Sequence, residues 1–290
     1  MKRDILFSTL LKALTALTVA LLAFILYFIV RESLPLFREV PLTEFLFGTV
    51  WRPVSYSGAP TYGILPILAA TVAVSALAVL LAAVCGIGAS LYLSCIASRR
   101  ARRLLYPFLD LLAGIPSVVY GFLGLTVLVR GFQNWGRSSG ECILAAGILL
   151  AVMLLPFLIS ACSETMLQMR ERYLPVSGAL GVDRWYALTH LLLPLSARGI
   201  LLSLVLAIGR AMGETMAVMM VIGNAAIFPT LLGKGETIAS LIALEMGTVE
   251  VGSTHYHALY AMGLVLLLLL LLINAGIAAI RSRLLRGERL

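Results

Sequence analysis

"YGILPILAATVAVSALAVLLAAVCGIGASLYLS", residues Tyr62 to Ser94, contains no charged side chain, and the uncharged run around it extends from Pro53 to Ser98. Lipid offers the backbone no hydrogen-bond partner, so such a stretch closes its own bonds as a helix; about 20 apolar residues span the hydrocarbon. The run exceeds that length, which leaves room for tilt or for projection beyond the bilayer. Working outward, the whole chain has the same character. Of its 290 residues 61% are hydrophobic and 12% charged, against about 25% charged in a soluble domain. This composition is that of a multi-pass membrane protein, with a mean hydropathy of +1.02.

Six apolar stretches can be placed, at roughly 12–30, 63–93, 104–129, 142–161, 199–224 and 257–280. The predicted fold class is therefore an all-α integral membrane protein with six transmembrane helices; a β-barrel would show short alternating segments instead. The first stretch follows a basic start, Lys2 and Arg3, but "YFIVRESLPLF" after it is bulky and offers no small-residue cleavage site. It reads as an uncleaved anchor.

The basic residues predict the orientation. Lys2, Arg3, Lys12, the four arginines of "RRARR" (99–103), Arg170, Arg172, Arg184, Arg198 and the four arginines of the tail fall at one set of span ends. Arg31, Arg38, Arg52, Arg130, Arg137 and Lys234 fall at the other. The fuller set marks the cytoplasmic side, so both termini face the cytoplasm and 31–62 is external. That external segment carries Phe45, Phe47, Trp51, Tyr56 and Tyr62, suited to interfacial anchoring or to contact with a binding protein. The net charge of +8 is then a matter of topology, and nucleic-acid binding is not needed to explain it.

Chemistry of the enzymatic kind is missing from the pattern. "LLGKGET" around Lys234 lacks the first glycine and the lysine–serine/threonine pair of a phosphate-cradling loop, since Phe228 and Gly235 stand at those places. No catalytic residue and no metal site are predicted. His255 and His257 lack a third ligand nearby and read as interfacial anchors, and Cys85, Cys95, Cys142 and Cys162 have no C-x-x-C spacing. Uphill transport by this chain would draw on an ion gradient or on a partner.

Two features stand out against the apolar background. "LLAGIPSVVYGFLG" (Leu111–Gly124) places Gly114 and Pro116 inside the third span. Proline has no N–H to donate and crowds the preceding turn, so the helix is expected to break there. The break either offers a half-helix N-terminus to an anion or is a kink that shapes packing. "AIGRAMGETMAVMMVIG" (Ala207–Gly223) sets Arg210 and Glu214 into the fifth span, where a charge at the helix centre costs roughly 2.5–3.5 kcal/mol or more. Arg210, with Thr215 and Ser117, could line a substrate path, Glu214 holding the arginine in place. Alternatively the two charges form an i,i+4 pair that fixes packing. Small-residue stripes, Ala82–Gly86–Ser90 and Gly209–Gly213, suit close helix contact.

The segment between the fourth and fifth spans, "YLPVSGALGVDRWYALTHLLLPLSARGI", is amphipathic. Val176, Leu180, Trp185 and Leu188 predict a helix–turn–helix on the cytoplasmic face that stops at Pro194. Its spacing resembles the E-A-A-x-x-x-G … I-x-L-P loop of ABC importer permeases. Gly181, Leu193 and Pro194 match, Leu191 stands at the isoleucine position, and Pro175, Val176 and Ser177 replace E-A-A. Together with "YGILPILAATVAVSALAVLLAAVCGIGASLYLS", "LLAGIPSVVYGFLG" and "GRAMGETMAVMMVIGN", the chain is similar to the phosphate-importer permeases. "FLFGTVWRPVSYSGAPTYGILP" places the likeness with the PstC-type subunits.

The resemblance implies a type I ABC importer (MetI-like) core with one additional N-terminal helix. Residues 1–62 would be the anchor and external segment, 63–280 the core with a coupling loop at about 163–198, and 281–290 a basic cytoplasmic tail. It implies a coupling role for Ser177, Gly181, Arg184, Leu193 and Pro194. It further implies a PstA-type permease as heterodimer partner, a PstB-type ATPase dimer that uses ATP and Mg, and a PstS-type phosphate-binding protein. No cofactor would be held by this chain itself, which would sit in a bacterial or archaeal cytoplasmic (inner) membrane. A permease for a related oxyanion, a secondary anion transporter and a non-transporting scaffold remain as alternatives.

Overall fold

A computed structural model describes the backbone of residues 2–54, 58–136 and 139–287, with side chains from Phe7 to Ala279 within those ranges. Tyr56 and the side chains of Lys2, Arg3 and the 281–290 tail lie outside the described residues. Helix α1 (Lys2–Ser33) leads to the short helices α2 (Leu36–Glu39) and α3 (Leu42–Phe47). These are followed by an antiparallel pair, β1 (Trp51–Arg52) and β2 (Thr61–Tyr62), with Trp51 opposite Tyr62. Helix α4 (Leu65–Leu91) runs the length of the bundle and ends in a π-helical turn, Tyr92–Ile96.

Ser98 caps α5 (Arg99–Ala113), its hydroxyl accepting from the Ala101 N–H. Next come α6 (Ser117–Leu123), a π-helical turn (Gly124–Val129) and α7 (Arg130–Asn134). The axis turns by 93° between α5 and this second half, which is the break expected at Gly114 and Pro116. Helix α8 (Ile143–Ala179) has 37 residues. At about 1.5 Å per residue it is about 55 Å long, well beyond a hydrocarbon core of about 30 Å. Residues 163–179, read from sequence as the start of a loop, are the continuation of this helix.

A second long path begins with α9 (Arg184–Tyr186), passes through a π-helical turn (Ala187–Leu192) and continues as α10 (Leu193–Gly213). Pro194 therefore does not stop a helix; it sits in the first turn of α10, where its missing N–H is tolerated, and the wider π turn makes room for its ring. The fifth span, expected to be continuous to 224, breaks at Glu214–Thr215 before α11 (Met216–Ile222). A connector leads to α12 (Ile238–Glu245), and α13 (Thr254–Gly287) closes the chain. Five described helices are long and apolar enough to cross a membrane, and the bent α5–α7 path makes a sixth.

The core lies where α4, α8, α10 and α11 meet. The stripe Ala82, Gly86 and Ser90 on α4 is fully buried against α8; a Cβ on Gly86 would stand 3.3 Å from Leu158 Cβ. Such close approach is what small residues permit. The Ser90 hydroxyl is shared between the Gly86 and Ile159 carbonyls, at 2.6 and 3.2 Å. Gly209 and Gly213 behave differently: nothing lies within 4 Å of a Cβ at either, so that stripe is left open.

The end opposite the arginine cluster is closed by a small apolar cap. Leu36, Phe45, Ile64, Ile67, Ile238 and Met262 are fully buried there, each contributing roughly 1.5–3 kcal/mol. The two histidines hold this cap together. His257 Nδ1 donates to the Glu32 carbonyl at 2.7 Å, tying α13 to α1, while His255 Nε2 lies 2.7 Å from Glu245 Oε2 at the end of α12. The Trp51 indole also donates to Glu245, at 3.3 and 3.2 Å.

Candidate functional site

The two helix breaks come together. Helices α6 and α11 pack side by side, and Gly121 makes the approach possible: a Cβ there would lie 2.7 Å from Met220 Sδ and 3.1 Å from Ala217 Cα. One turn earlier on each helix stand Pro116 and Ser117 on one side and Glu214 and Thr215 on the other. The Tyr120 hydroxyl donates to the Leu112 carbonyl at 2.8 Å. That carbonyl is the acceptor Pro116, four residues on, cannot serve. Tyr120 thus stitches the break from its far side.

Arg210 lies in the last turn of α10, exposed on the open face with Gly213. Its Cζ sits 5.9 Å from the centroid of the Phe157 ring on α8, an arrangement in which the ring face attracts the cation. Along α8 Phe157 is about 21 Å from Ile143, so the arginine lies well inside the span. The i,i+4 pairing with Glu214 does not form. Because α10 ends at Gly213, Glu214 takes an extended backbone (φ −71°, ψ 127°), and its Oε1 accepts from the Ala217 N–H at 3.3 Å. Glu214 caps α11 rather than holding Arg210. Thr215 Oγ1 donates to the Gly213 carbonyl at 3.3 Å, and Ser117 is half-buried at the start of α6.

A second group gathers at the arginine-rich end. The α8 helix ends at Ala179, and Gly181 turns the chain with φ +74°, a conformation glycine adopts at little cost. The Val182 N–H reaches the Ser177 carbonyl at 3.0 Å, and the buried Ser177 hydroxyl donates to the Leu174 carbonyl. Asp183 then caps the next helix, Oδ2 accepting from the Trp185 and Tyr186 N–H groups. Val176, Leu180, Trp185 and Tyr186 are exposed around this turn, while Leu188 is buried. Arg184 Nη2 donates to the Cys95 carbonyl, and Arg170 Nη1 to the Ser94 carbonyl, both at 2.7 Å. Leu193 is half-buried and Pro194 exposed, a full π turn away from this contact.

Sequence reasoning passed over three of these residues. Arg170 counts in the sequence only as one more topology charge, and Phe157 carries no signal there. Glu236, in the connector before α12, is 3% exposed, and its Oε1 has no hydrogen-bond partner. Burial and the neighbouring Glu245 push its carboxyl up to about 7. An acid in "KGETIAS" was the available signal. Among the described residues no group of histidine, cysteine or acidic side chains could hold a metal ion.

Comparison with known proteins places this arrangement. Residues 82–286 match the family described as binding-protein-dependent transport system inner membrane component, and the chain belongs to that family. It is a multi-pass membrane protein of ABC-permease type. Among its relatives, the probable ABC transporter permease protein YqgH of Bacillus subtilis (strain 168) is 38% identical over 242 residues, covering 83% of this chain and 78% of that protein. The phosphate transport system permease protein PstC of Xylella fastidiosa (strain 9a5c) is 32% identical over 277 residues, covering 86% and 84%. The probable phosphate transport system permease protein PstC of Methanocaldococcus jannaschii is 30% identical over 272 residues, covering 88% and 86%. A chain of the MetNI methionine ABC transporter in an inward-facing conformation shares the fold: TM-score 0.57, 17% identity, 73% of this chain and 91% of that one.

Proposed function

We propose that this chain is the transmembrane permease subunit of an ATP-driven importer of inorganic phosphate, forming half of the translocation pore. The relatives named for phosphate transport, aligned over most of both chains, support the substrate. The single structural observation that carries the pore reading is the exposure of Arg210 at membrane depth. Leaving that charge against lipid costs at least roughly 2.5–3.5 kcal/mol, so its face belongs to a second subunit or to a water-filled path. The open Gly209–Gly213 stripe beside it supports the same reading. The covering subunit is a PstA-type permease, and the anion passes between the two.

In this reading Arg210 is a transient station for phosphate, its planar fork of donors suited to the anion's oxygens. Ser117 and Thr215 line the same level, and Gly114 and Pro116 make the break that opens it. The turn at Gly181, with Ser177 and Arg184 behind it and Leu193 and Pro194 joining it to α10, docks on a PstB-type ATPase dimer. ATP and Mg are used there, and this chain has no catalytic role and holds no cofactor. A PstS-type protein delivers phosphate to the external face. Both termini lie in the cytoplasm, and the membrane is the cytoplasmic (inner) one.

The test is uptake of labelled phosphate by the reconstituted four-component assembly. ATP-dependent uptake that excess sulfate leaves unchanged is expected. Uptake without the ATPase, or equal competition by sulfate, would overturn the mechanism or the substrate respectively.

A further inference from the structure

A cavity of about 630 Å³ opens at the arginine-rich end between the start of α5 and the lower part of α8, lined by Arg99, Arg102, Arg170, Glu171, Leu174 and Pro175. Three guanidinium groups face one carboxylate, and among the described residues none of these arginines forms an ion pair with Glu171 or any other acid. Arg170 spends one N–H on the Ser94 carbonyl. Arg102 is less satisfied: its Nε is buried with no partner. Tyr106, one turn on along the same face of α5, likewise has a buried hydroxyl with no partner. A buried donor without an acceptor keeps its full desolvation penalty, so Arg102, lining a cavity with two further guanidinium groups, calls for an anion with several oxygens.

The surroundings select its source. Arg170 lies about 40 Å along α8 from Ile143, past a hydrocarbon core about 30 Å thick and at the outer edge of the headgroup layer, within reach of its long side chain. The next turns of α5 present exposed apolar side chains, Leu104, Phe108 and Leu111, beside the cavity's arginines on the same helix. A free anion has no use for such a surface; acyl chains do. We propose that this cavity binds the phosphodiester headgroup of an anionic phospholipid, its acyl chains lying along α5. Basic pockets between helices at a cytoplasmic membrane face are suited to this chemistry. The site is separate from Arg210 and does not depend on the nature of the transported anion. A lipid seated here would brace the start of α5 against the stretch of α8 that leads into the Gly181 turn.

The test uses the full-length chain, purified in detergent with its bound subunits, supplemented with phosphatidylglycerol or phosphatidylcholine and read by native mass spectrometry. Wild type should retain phosphatidylglycerol preferentially. The double variant Arg99→Gln, Arg102→Gln should lower that retention roughly thirtyfold, at roughly 1 kcal/mol per arginine. The double variant Arg100→Gln, Arg103→Gln, at exposed positions outside the cavity, should leave it unchanged. An equal loss in both variants would reduce the effect to general charge attraction and overturn the site. Displacement of the lipid by millimolar inorganic phosphate would assign the cavity to the free anion instead, and lipid retention only in the absence of the ATPase would assign it to a protein contact. Should the Arg99/Arg102 variant fail to assemble, a photoactivatable phosphatidylglycerol headgroup on the wild-type chain decides the matter. Adducts are expected within 98–106 and 170–175, and adducts confined to other segments would refute the proposal.

Discussion

Arg184 donates through Nη2 to the Cys95 carbonyl at 2.7 Å, joining the turn after α8 to the last turn of α4, 89 residues earlier in the chain. The π turn at Tyr92–Ile96 leaves carbonyls at the end of α4 without intrahelical partners, and a cation is well placed at a helix C-terminus. Arg170 does the same one residue earlier. These two bonds tie the turn at Gly181 and the end of α8 to a helix of the core.

Replacement of Arg184 by alanine removes a charge-assisted bond of about 1.5–3 kcal/mol. Phosphate uptake should fall roughly tenfold or more by the corresponding factor, while ATPase binding, measured by co-purification, stays near normal. Lysine at this position should restore part of the uptake. Uptake at the wild-type rate in the alanine variant would show that the link to α4 is not used.

At Gly181 the backbone, not crowding, sets the outcome. Nothing lies within 4 Å of a Cβ there, but φ is +74°. Left-handed backbone costs a non-glycine residue about 1–2 kcal/mol, with asparagine the most tolerant. Gly181→Asn should therefore keep ATPase coupling and Gly181→Val should lose it, with membrane insertion normal in both. Equal coupled hydrolysis in the two variants would argue against a role for this turn geometry.

Arg210 and Glu214 have separate tasks, so their variants should not compensate. Arg210→Gln should abolish uptake with assembly intact, and Arg210→Lys should recover it only in part. Glu214→Ala should cost about 1 kcal/mol through loss of the α11 cap, visible as a lowered melting temperature. The double variant Arg210→Gln, Glu214→Gln should remain inactive. Wild-type uptake in that double variant would restore the simple pair as the explanation.

Glu236 should make the end of the bundle opposite the arginine cluster sensitive to pH. Its carboxyl is pushed from 4.5 to about 7 by burial and by Glu245. The folded chain keeps this proton where the unfolded chain has released it. The stability it contributes is complete below about 4.5, falls as pH rises toward 7 and is lost above that. Thermal melts in detergent should show the wild type losing stability from pH 5 to pH 8, and Glu236→Gln losing less. Identical pH profiles would remove Glu236 from the account.

The membrane class, the span number and the break at Pro116 were legible in the residues themselves. They rest on hydropathy, on the lack of a backbone partner in lipid and on the missing proline N–H, all of which act along the chain. The left-handed turn at Gly181 was legible for the same reason, since glycine's freedom is local. The pairing of Arg210 with Glu214 was not, because an i,i+4 relation holds only while the helix continues, and α10 ends at Gly213. Whether Pro194 ended a helix was also undecidable from spacing, since a π turn before it absorbs the ring. Only tertiary packing could bring Arg170 and Arg184 to the end of α4, or bury Glu236 in the connector that joins α11 to α12. Contacts of that kind join residues far apart in the chain, and their distances are set by how closely helices approach, as the missing side chains of Gly86 and Gly121 allow, rather than by any pattern along one segment.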